Sequence, residues 1–498
     1  MTLHLSIVLW LPAVAGVVAL AARRAAGWVT LVGSLGAFAY GIALLVDYDA
    51  AAGTLQHVTD DVWIEQLGIH YKLGVDGLNL ALIVLTTLLF SACVLWAALE
   101  REYPPQFFLW MGVAHSAVLG ALLAQDLILF VLFFDLMLVP FLFLTLIWGP
   151  TPREERVRAI VKLFIYTLVG SLLMLAGAVA TGVTATAGEG ITFALSDLER
   201  FALDEGTQKW IFLCFAAAFL VKMPSFPVHG WMPDGYRNMP LPVLAVFSAV
   251  LSKVAAYGFL RVVTPLYPDA SADFQTLMLL IALASILYGS AMAFTTTETR
   301  LILGYSSVAQ LGFITLGVFS LSDDGAQGAI LQSVNHGIVV VPAFFIVGLL
   351  AARAGGSQDL RDMGGTAFRA PILAGLFLIV ALATLAMPGS ANFVGEFLIL
   401  FGVFDTKIVI AIVAFTGVVL ASVYMLRMFI RSMHNRVNPG VESRDIRFAD
   451  GLVLVPMVAA IIFLALYPQL PLDKGEQTIP SKIEAARGIA HPEIQVIR

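Results

Sequence analysis

Long apolar runs fill most of this 498-residue chain, and they limit its possible folds more than any other feature. A helix needs about 20 predominantly apolar residues to cross the hydrocarbon core of a bilayer. Backbone N–H and C=O groups in hydrocarbon must find partners within the protein, and an α-helix supplies them within one segment. The sequence therefore predicts an all-α, polytopic membrane protein. Its fourteen candidate helices span 3–22, 27–46, 78–98, 107–124, 126–148, 158–182, 209–228, 242–265, 274–294, 300–320, 325–352, 371–401, 406–430 and 449–468.

The amino-acid composition agrees with a membrane protein. Hydrophobic residues make up 59% of the chain and charged residues only 12%, whereas soluble domains are about half apolar and a quarter charged. The formal net charge of −6 indicates no nucleic-acid partner. Cys93 and Cys214 stand alone in apolar runs, without the spacing of metal ligands. Residues 1–16 carry no Lys or Arg before their apolar run, so we expect a retained first helix rather than a secretory signal.

Two predicted helices are interrupted by proline. Predicted helix 7 contains Pro224 and Pro227, and predicted helix 12 contains Pro388 followed by Gly389. Interrupted helices at matching places in two halves are typical of a transport site at the centre of the membrane. Each is the fourth helix of a five-helix set, helices 4–8 and 9–13, and an odd number of helices inverts the second copy. We therefore predict an inverted five-helix repeat.

No separate soluble domain is left over between the predicted helices. The longest polar stretches are 47–77, 184–208, 431–448 and the tail from Pro471. We predict one integral membrane domain over 1–498. Its parts are three N-terminal helices within 3–100, a first repeat over 107–265, a second repeat over 274–430 and a last helix over 449–468.

The positive charges are distributed unevenly between the two sides. Loops near the membrane that are rich in Lys and Arg mark the cytoplasmic side. The loops after even-numbered helices up to helix 12 hold only Lys72, Arg200, Lys209 and Lys407. We therefore expect both termini to face outward. The sixteen arginines assigned to the other side are Arg23, Arg24, Arg101, Arg153, Arg156, Arg158, Arg237, Arg300, Arg353, Arg361, Arg369, Arg427, Arg431, Arg436, Arg444 and Arg447, and the tail adds Lys474, Lys482, Arg487 and Arg498.

Five ionisable residues stand out as candidates deep within predicted spans. A charge near the centre of a membrane helix costs about 2.5–3.5 kcal/mol even on the insertion scale. One interpretation is a series of proton-exchanging groups that face a hydrated interior, and the alternative is a set of ion pairs that lock helices together. We favour proton exchange for the set as a whole. The five candidates are Asp135, Lys222, Lys253, His336 and Glu396.

These residue types suit proton exchange, because desolvation moves the pKa of a lysine down and that of a carboxyl group up by about 3–5 units. A hydrogen-bonded core histidine is an equal alternative for His336. Tyr305, Ser306 and Gln310 are candidates to support water chains, although packing contacts between helices explain such residues as well. Lys162 and Arg261 lie near helix ends, where we expect their side chains to extend to the interface. Tyr166, Tyr257 and Ser307 share the ambiguity of the water-chain candidates.

Motifs for redox chemistry are missing from the sequence. It has no GxGxxG after a strand, no P-loop, no cysteine cluster for iron–sulfur and no evident haem ligand set. We expect no cofactor and no metal site in this chain itself.

Six segments are distinctive, beginning with VKMPSFPVHGWMPD at 221–234. The others are FFDLMLVPFLFLTLIWG at 133–149, LSKVAAYGFLRV at 251–262, GYSSVAQLGF at 304–313, NHG at 335–337 and MPGSANFVGEFLILFG at 387–402. Together they resemble the antiporter-like subunits of respiratory NADH dehydrogenases and of multi-subunit cation/proton antiporters. Glu396 in ANFVGEF is similar to the glutamate of the M-type (chain 4) subunit, where the other types mostly carry lysine.

The resemblance implies a role for each buried charge. Asp135 takes the place of a helix-5 glutamate that pairs with Lys222, Lys253 is the central relay lysine, His336 is a relay histidine and Glu396 is the terminal group. Three positions depart from the family pattern. Residue 135 is Asp rather than Glu, Gln310 stands where a relay histidine is common, and GYRNMP at 235–240 replaces the usual alanine-histidine start.

The resemblance also implies a function and partners. It implies a subunit of a proton-translocating NADH:quinone oxidoreductase in a bacterial plasma membrane, with L-, N-type and small membrane subunits beside it. NADH, flavin, iron–sulfur clusters and quinone are then expected in partner subunits. The alternatives are a subunit of a cation/proton antiporter, a ferredoxin- or hydrogenase-linked relative of the complex, and a purely structural membrane subunit.

Overall fold

The structure is a computed structural model that describes residues 3–185, 190–435, 440–442 and 444–492. Arg436 and Arg498, which belong to the charge count above, lie outside the described residues. Helices dominate the fold. In chain order they are α1 (Leu5–Ala22), α2 (Ala26–Asp47), α3 (Leu80–Glu100), α4 (Pro105–Leu123), α5 (Leu127–Leu136), α6 (Leu138–Trp148), α7 (Arg153–Ala185), α8 (Leu195–Leu198), α9 (Glu205–Lys222), α10 (Met232–Asn238), α11 (Leu241–Val246), α12 (Ser252–Gly258), α13 (Thr264–Leu266), α14 (Pro268–Asp273), α15 (Gln275–Thr295), α16 (Thr299–Phe319), α17 (Asp323–Arg353), α18 (Pro371–Thr384), α19 (Ala391–Thr406), α20 (Ile408–Met433), α21 (Phe448–Leu466), α22 (Gln469–Gly475) and α23 (Thr478–Ala490).

Among the described residues, 11 helical segments are long and apolar enough to cross a membrane. The first, Leu5–Asp47, contains both α1 and α2, which meet at a short 3-10 turn over Arg23–Ala25. Large apolar side chains are exposed on the outer helices, for example Val32 (71%) and Val409 (70%). Because lipid tails solvate such side chains, the chain is an integral, multi-pass membrane protein.

The prediction of an all-helical chain is corrected at one place. Within the polar stretch 47–77, strands β1 (Gln56–Ile64) and β2 (Ile69–Val75) form an antiparallel hairpin in which Thr59 lies opposite Leu73. The carboxylate of Asp126 ties this hairpin to α5, because it accepts the backbone N–H groups of His70, Ile128 and Leu129. Pairing across the hairpin satisfies backbone groups that lie outside the helices.

The structure differs from the sequence prediction in four segments. The predicted helix over 126–148 is divided at Met137, and the one over 209–228 ends at Lys222. The long helix predicted over 371–401 stops at Thr384 and resumes over Ala391–Thr406. The tail, predicted as a polar stretch from Pro471, contains α22 and α23. Local apolar content defines a span, but breaks and helices on the surface depend on packing against the rest of the fold.

The most buried helices form the centre of the molecule. The membrane-spanning windows of Leu241–Leu266 and α16 are completely buried, and that of α17 is 94% buried. By contrast, only 33% of the corresponding window is buried in α7 and in α20, which lie at the surface of this chain. The buried helices also carry polar side chains of the central spans, among them Lys253, Gln310 and His336.

Candidate functional site

Lys222 and Asp135 form an ion pair between α9 and α5. Lys222 Nζ lies 2.9 Å from Asp135 Oδ1 and donates a second hydrogen bond of 2.6 Å to the backbone oxygen of Phe134. The ammonium group also lies 3.8 Å from the centre of the Phe134 ring. The Lys222 side chain is 1% exposed, whereas that of Asp135 is 35% exposed and also accepts a hydrogen bond from Ser171. Lys222 therefore has more than one partner, and the carboxylate of Asp135 reaches the surface of this chain.

The chain is not helical over 223–231, directly after Lys222. Pro224 and Pro227 lie in this break, and the Phe226–Pro227 bond is cis. Neighbouring groups satisfy the freed backbone: Ser285 accepts from the Phe226 N–H, and Trp231 Nε1 donates to the Val221 oxygen. The break thus exists within a packed protein interior, which is where interrupted helices are tolerated in membranes.

Lys253 occupies the middle of the buried segment Leu241–Leu266. Its Nζ donates to the Ser248 backbone oxygen at 2.9 Å and to Ser252 Oγ at 3.2 Å, and no described carboxylate pairs with it. Two π-helical turns, Phe247–Leu251 and Phe259–Val263, flank it. A π-turn widens the helix and shifts its hydrogen bonds, and such turns occur often at functional sites.

Glu396 on α19 meets two glutamines in the core. Gln310 Nε2 on α16 donates to Glu396 Oε1 at 2.7 Å. Gln332 Nε2 on α17 donates to Gln310 Oε1 at 2.7 Å and approaches Glu396 Oε1 at 3.4 Å. Glu396 Oε2 is buried without a hydrogen-bond partner among the described residues. One carboxylate oxygen is thus held by amides, and the other is free to take a proton.

The second broken helix precedes Glu396. The chain leaves α18 after Thr384 and enters α19 at Ala391, with Pro388 between them and Gly389 at a φ of 89°. Such a φ favours glycine, since a Cβ atom would be strained there. The side-chain Nδ2 of Asn335 donates to the Ala391 backbone oxygen at 2.6 Å and so binds the start of α19 to α17.

The remaining candidates lie in the same buried centre. His336 on α17 is 1% exposed, and its Nδ1 has no hydrogen-bond partner in the described part of the chain. Ser306 and Tyr424 share a hydrogen bond of 2.8 Å, and Tyr305 packs near His229. The helix carrying Lys253 contacts the helices of Lys222, Gln310 and His336. The structure therefore places the candidates on neighbouring helices of the buried core.

Arg261 corrects one expectation. Its side chain is 3% exposed and does not extend to the interface, because it forms a 2.6 Å ion pair with Asp76, which is 5% exposed. Arg261 Nε also donates to the Tyr257 hydroxyl at 2.9 Å. Lys162 is 41% exposed and pairs with Asp234 at 2.8 Å. In the sequence, the position of Arg261 near a helix end did not show that another segment of the chain buries its side chain.

Three polar residues of the buried centre were missed in the sequence. Gln332 shares one face of α17 with His336, a spacing that predicts a polar stripe on an apolar helix. His229 lies within the proline-rich segment 221–234, where it was overshadowed by Lys222. Asp76 gave no signal, because its segment has the composition of an ordinary loop. No group of three or more His, Cys, Asp or Glu side chains in the described ranges is arranged to hold a metal ion.

Comparison with known proteins places these residues in a family. The family model described as NADH:quinone oxidoreductase/Mrp antiporter, TM matches residues 124–421, a range that includes every group from Asp135 to Glu396. The chain belongs to this family. NADH-quinone oxidoreductase subunit M of Rhodobacter capsulatus is 34% identical over 487 residues, or 94% of each chain. The Escherichia coli K12 subunit M is 36% identical over 428 residues, or 84% of each chain.

Solved structures of the family have the same architecture. A chain of respiratory complex I from Thermus thermophilus with bound NADH matches with a TM-score of 0.89 and 29% identity, over 98% of this chain and all of that one. The Mrp complex from a Dietzia species matches with a TM-score of 0.83 at 22% identity, over 100% of this chain and 99% of that one, which indicates a shared fold. The antiporter-like fold predicted from the sequence segments is confirmed.

Proposed function

We propose that this chain is the M-type subunit of a proton-translocating NADH:quinone oxidoreductase, and that it moves protons while partner subunits reduce quinone. The family match and the similarity to subunits named subunit M support this assignment. The observation that carries the mechanism is the line of ionisable groups in the core, since nothing in membrane spanning requires buried charges. NADH, flavin, iron–sulfur clusters and quinone then belong to partner subunits. The neighbours of this chain in the membrane are L-type, N-type and small subunits.

The membrane topology is part of the same proposal. Leu5–Asp47 crosses twice, and the interrupted pairs α9–α10 and α18–α19 each count as one further pass, which brings the number to fourteen. The two five-helix repeats, 107–265 and 274–430, are inverted relative to each other, within one domain over 1–498. Both termini face outward from a bacterial plasma membrane. Single cysteines replacing Glu155 and Ser196 test this, because an impermeant reagent should reach only position 196 from outside.

Proton entry is assigned to the Asp135–Lys222 pair. With the carboxylate at 2.9 Å, Lys222 holds its proton. When partner subunits draw Asp135 away, the buried ammonium loses its counter-charge and passes the proton toward Lys253. Transport of one charge against a membrane potential requires about 2.3 kcal/mol per 100 mV, and quinone reduction in the partner subunits supplies it.

Transfer beyond Lys253 runs through His336 to Glu396. Side-chain atoms of His336, Asn335, Gln332 and Asn392 near this route are buried without protein partners among the described residues. Buried polar groups are normally satisfied by ordered water when the protein supplies no partner. These atoms therefore mark where a water chain connects the groups, with Tyr305, Ser306 and Gln310 as its supporting side chains.

Purification through a tag on this chain tests the assignment. The expected result is a complex that oxidises NADH, reduces quinone and acidifies one side of a sealed vesicle. Lys222→Ala in an assembled complex should abolish the pumping that passes through this subunit. Na⁺-dependent transport by a complex without NADH oxidation would instead identify a cation/proton antiporter subunit. A ferredoxin- or hydrogenase-linked complex would be recognised by its co-purifying redox subunits.

A further inference from the structure

A basic cavity lies at one end of the N-terminal helices. It has a volume of about 570 Å³ and lies where the α1–α2 turn approaches the connection between α3 and α4. Three arginines and three aromatic residues line it: Arg23, Arg24, Arg101, Trp28, Tyr103 and Phe108. Its base is closely packed, since a Cβ atom on Gly27 would lie 2.8 Å from the Ala98 side chain and 2.9 Å from the Phe108 ring.

The three arginines form no ion pair with another described residue. Within the described part of the chain, none of them lies within 4.0 Å of a carboxylate oxygen. Glu100, which precedes Arg101, accepts a hydrogen bond of 2.7 Å from Trp96 Nε1 instead. Like charges gathered in one cavity repel one another, so a ligand of opposite charge would offset that repulsion.

The surroundings of the cavity narrow the class of ligand. Trp28 is 43% exposed at the start of α2, and tryptophan and tyrosine collect at membrane–water interfaces. Val17, Val18 and Val32 are exposed nearby on α1 and α2, by 57%, 51% and 71%. A free phosphate would use the arginines alone, whereas a phospholipid would also cover this apolar surface with its acyl chains.

We propose that the cavity binds the headgroup of an anionic phospholipid. The guanidinium groups of Arg23, Arg24 and Arg101 contact the phosphate, because planar guanidinium donors match phosphate oxygens. Trp28 and Tyr103 lie at the level of the glycerol. The acyl chains follow the exposed valines of α1 and α2. The lipid thereby joins the first helix pair to the α3–α4 connection at this membrane surface.

The test uses the intact complex, with a photoreactive benzoylphenylalanine in place of Trp28. The complex is reconstituted into vesicles of phosphatidylcholine alone or of phosphatidylcholine with phosphatidylglycerol, irradiated, and analysed by mass spectrometry of this subunit. A phosphatidylglycerol adduct is expected. Each arginine near a bilayer strengthens anionic-lipid binding on the order of fivefold, so Arg24→Gln/Arg101→Gln should reduce that adduct by roughly 25-fold.

The matched control is Arg153→Gln/Arg158→Gln, which removes two exposed arginines that do not line the cavity. It should leave the adduct unchanged, which would exclude an effect of net charge alone. Adducts of equal yield with phosphatidylcholine would overturn the proposal, as would a main adduct with another protein subunit. Suppression of the lipid adduct by about 10 mM inorganic phosphate, near the Kd range of weak anion binding, would assign the cavity to free phosphate instead.

Discussion

Asp135→Asn is the sharpest perturbation of the proposed mechanism. The change keeps the size of the side chain but removes the negative charge 2.9 Å from Lys222 Nζ. Removal of one partner from a buried ion pair costs about 3–5 kcal/mol. Because Asp135 is 35% exposed in the isolated chain, we expect a value near the lower limit, about 3 kcal/mol. A change of that size alters an equilibrium by roughly 100-fold.

The consequence should be seen in pumping rather than in assembly. Lys222 keeps its hydrogen bond to the Phe134 backbone oxygen, so the fold around it has a remaining partner. We expect Asp135→Asn to impair proton pumping strongly, whereas Asp135→Glu, which keeps the charge, should be tolerated. Glu205→Gln is the control, because the Lys209–Glu205 pair is exposed and such pairs contribute about 1 kcal/mol or less.

The assay compares ΔpH formation with quinone reductase rate in sealed membrane vesicles, and a native gel checks assembly. Their ratio separates a loss of pumping from a loss of complex. If Asp135→Asn pumps at the unmodified rate in an assembled complex, the pair only holds α5 to α9. The switching role assigned to it would then be wrong.

Three further variants test other parts of the path. Lys253→Ala should leave assembly intact and sharply lower pumping, and normal ΔpH formation would make Lys253 a packing residue. Gln332→Leu removes the donor to Gln310 Oε1, the amide that holds Glu396, and since an ordinary hydrogen bond contributes about 0.5–1.5 kcal/mol, pumping should fall by roughly two- to tenfold. Asp76→Asn removes the carboxylate that pairs with Arg261. It should lower the free energy of unfolding by about 3–5 kcal/mol, seen as a lower melting temperature of the complex, without changing pumping per assembled complex. A selective loss of pumping would contradict this.

The sequence predicted the spans and the buried charges because both follow from local composition. An apolar run of sufficient length has few alternatives to a membrane helix, and a charge inside such a run is conspicuous. The breaks near Pro224 and Pro388 were predicted from two prolines close together in one case and a Pro-Gly pair in the other, whereas the single Pro12, Pro342 and Pro456 lie inside continuous helices. The β1–β2 hairpin was not predicted, because its stability depends on pairing between strands and on Asp126, which is remote in sequence.

The partners of the buried charges were less accessible than the charges themselves. The family resemblance suggested the Asp135–Lys222 contact, but no local pattern joins Gln332 to Gln310 and Glu396. These three side chains come from three helices, and only tertiary packing brings them together. For the same reason the sequence could identify a polar residue in a span without identifying what it binds.

In the two ion pairs of the core, the chemistry of the paired residues decides whether a pair can exchange a proton, and the distance between them does not. Asp76–Arg261 and Asp135–Lys222 have similar separations, 2.6 and 2.9 Å. Arginine remains protonated in proteins, whereas a buried lysine can lose its proton. Asp76 also accepts the backbone N–H of Leu78 within a fully enclosed cluster, while Asp135 reaches the surface of the subunit. The first pair can therefore only fix the position of its helices. The proposed mechanism requires only the second pair to open, and the exposure of Asp135 is consistent with that proposal.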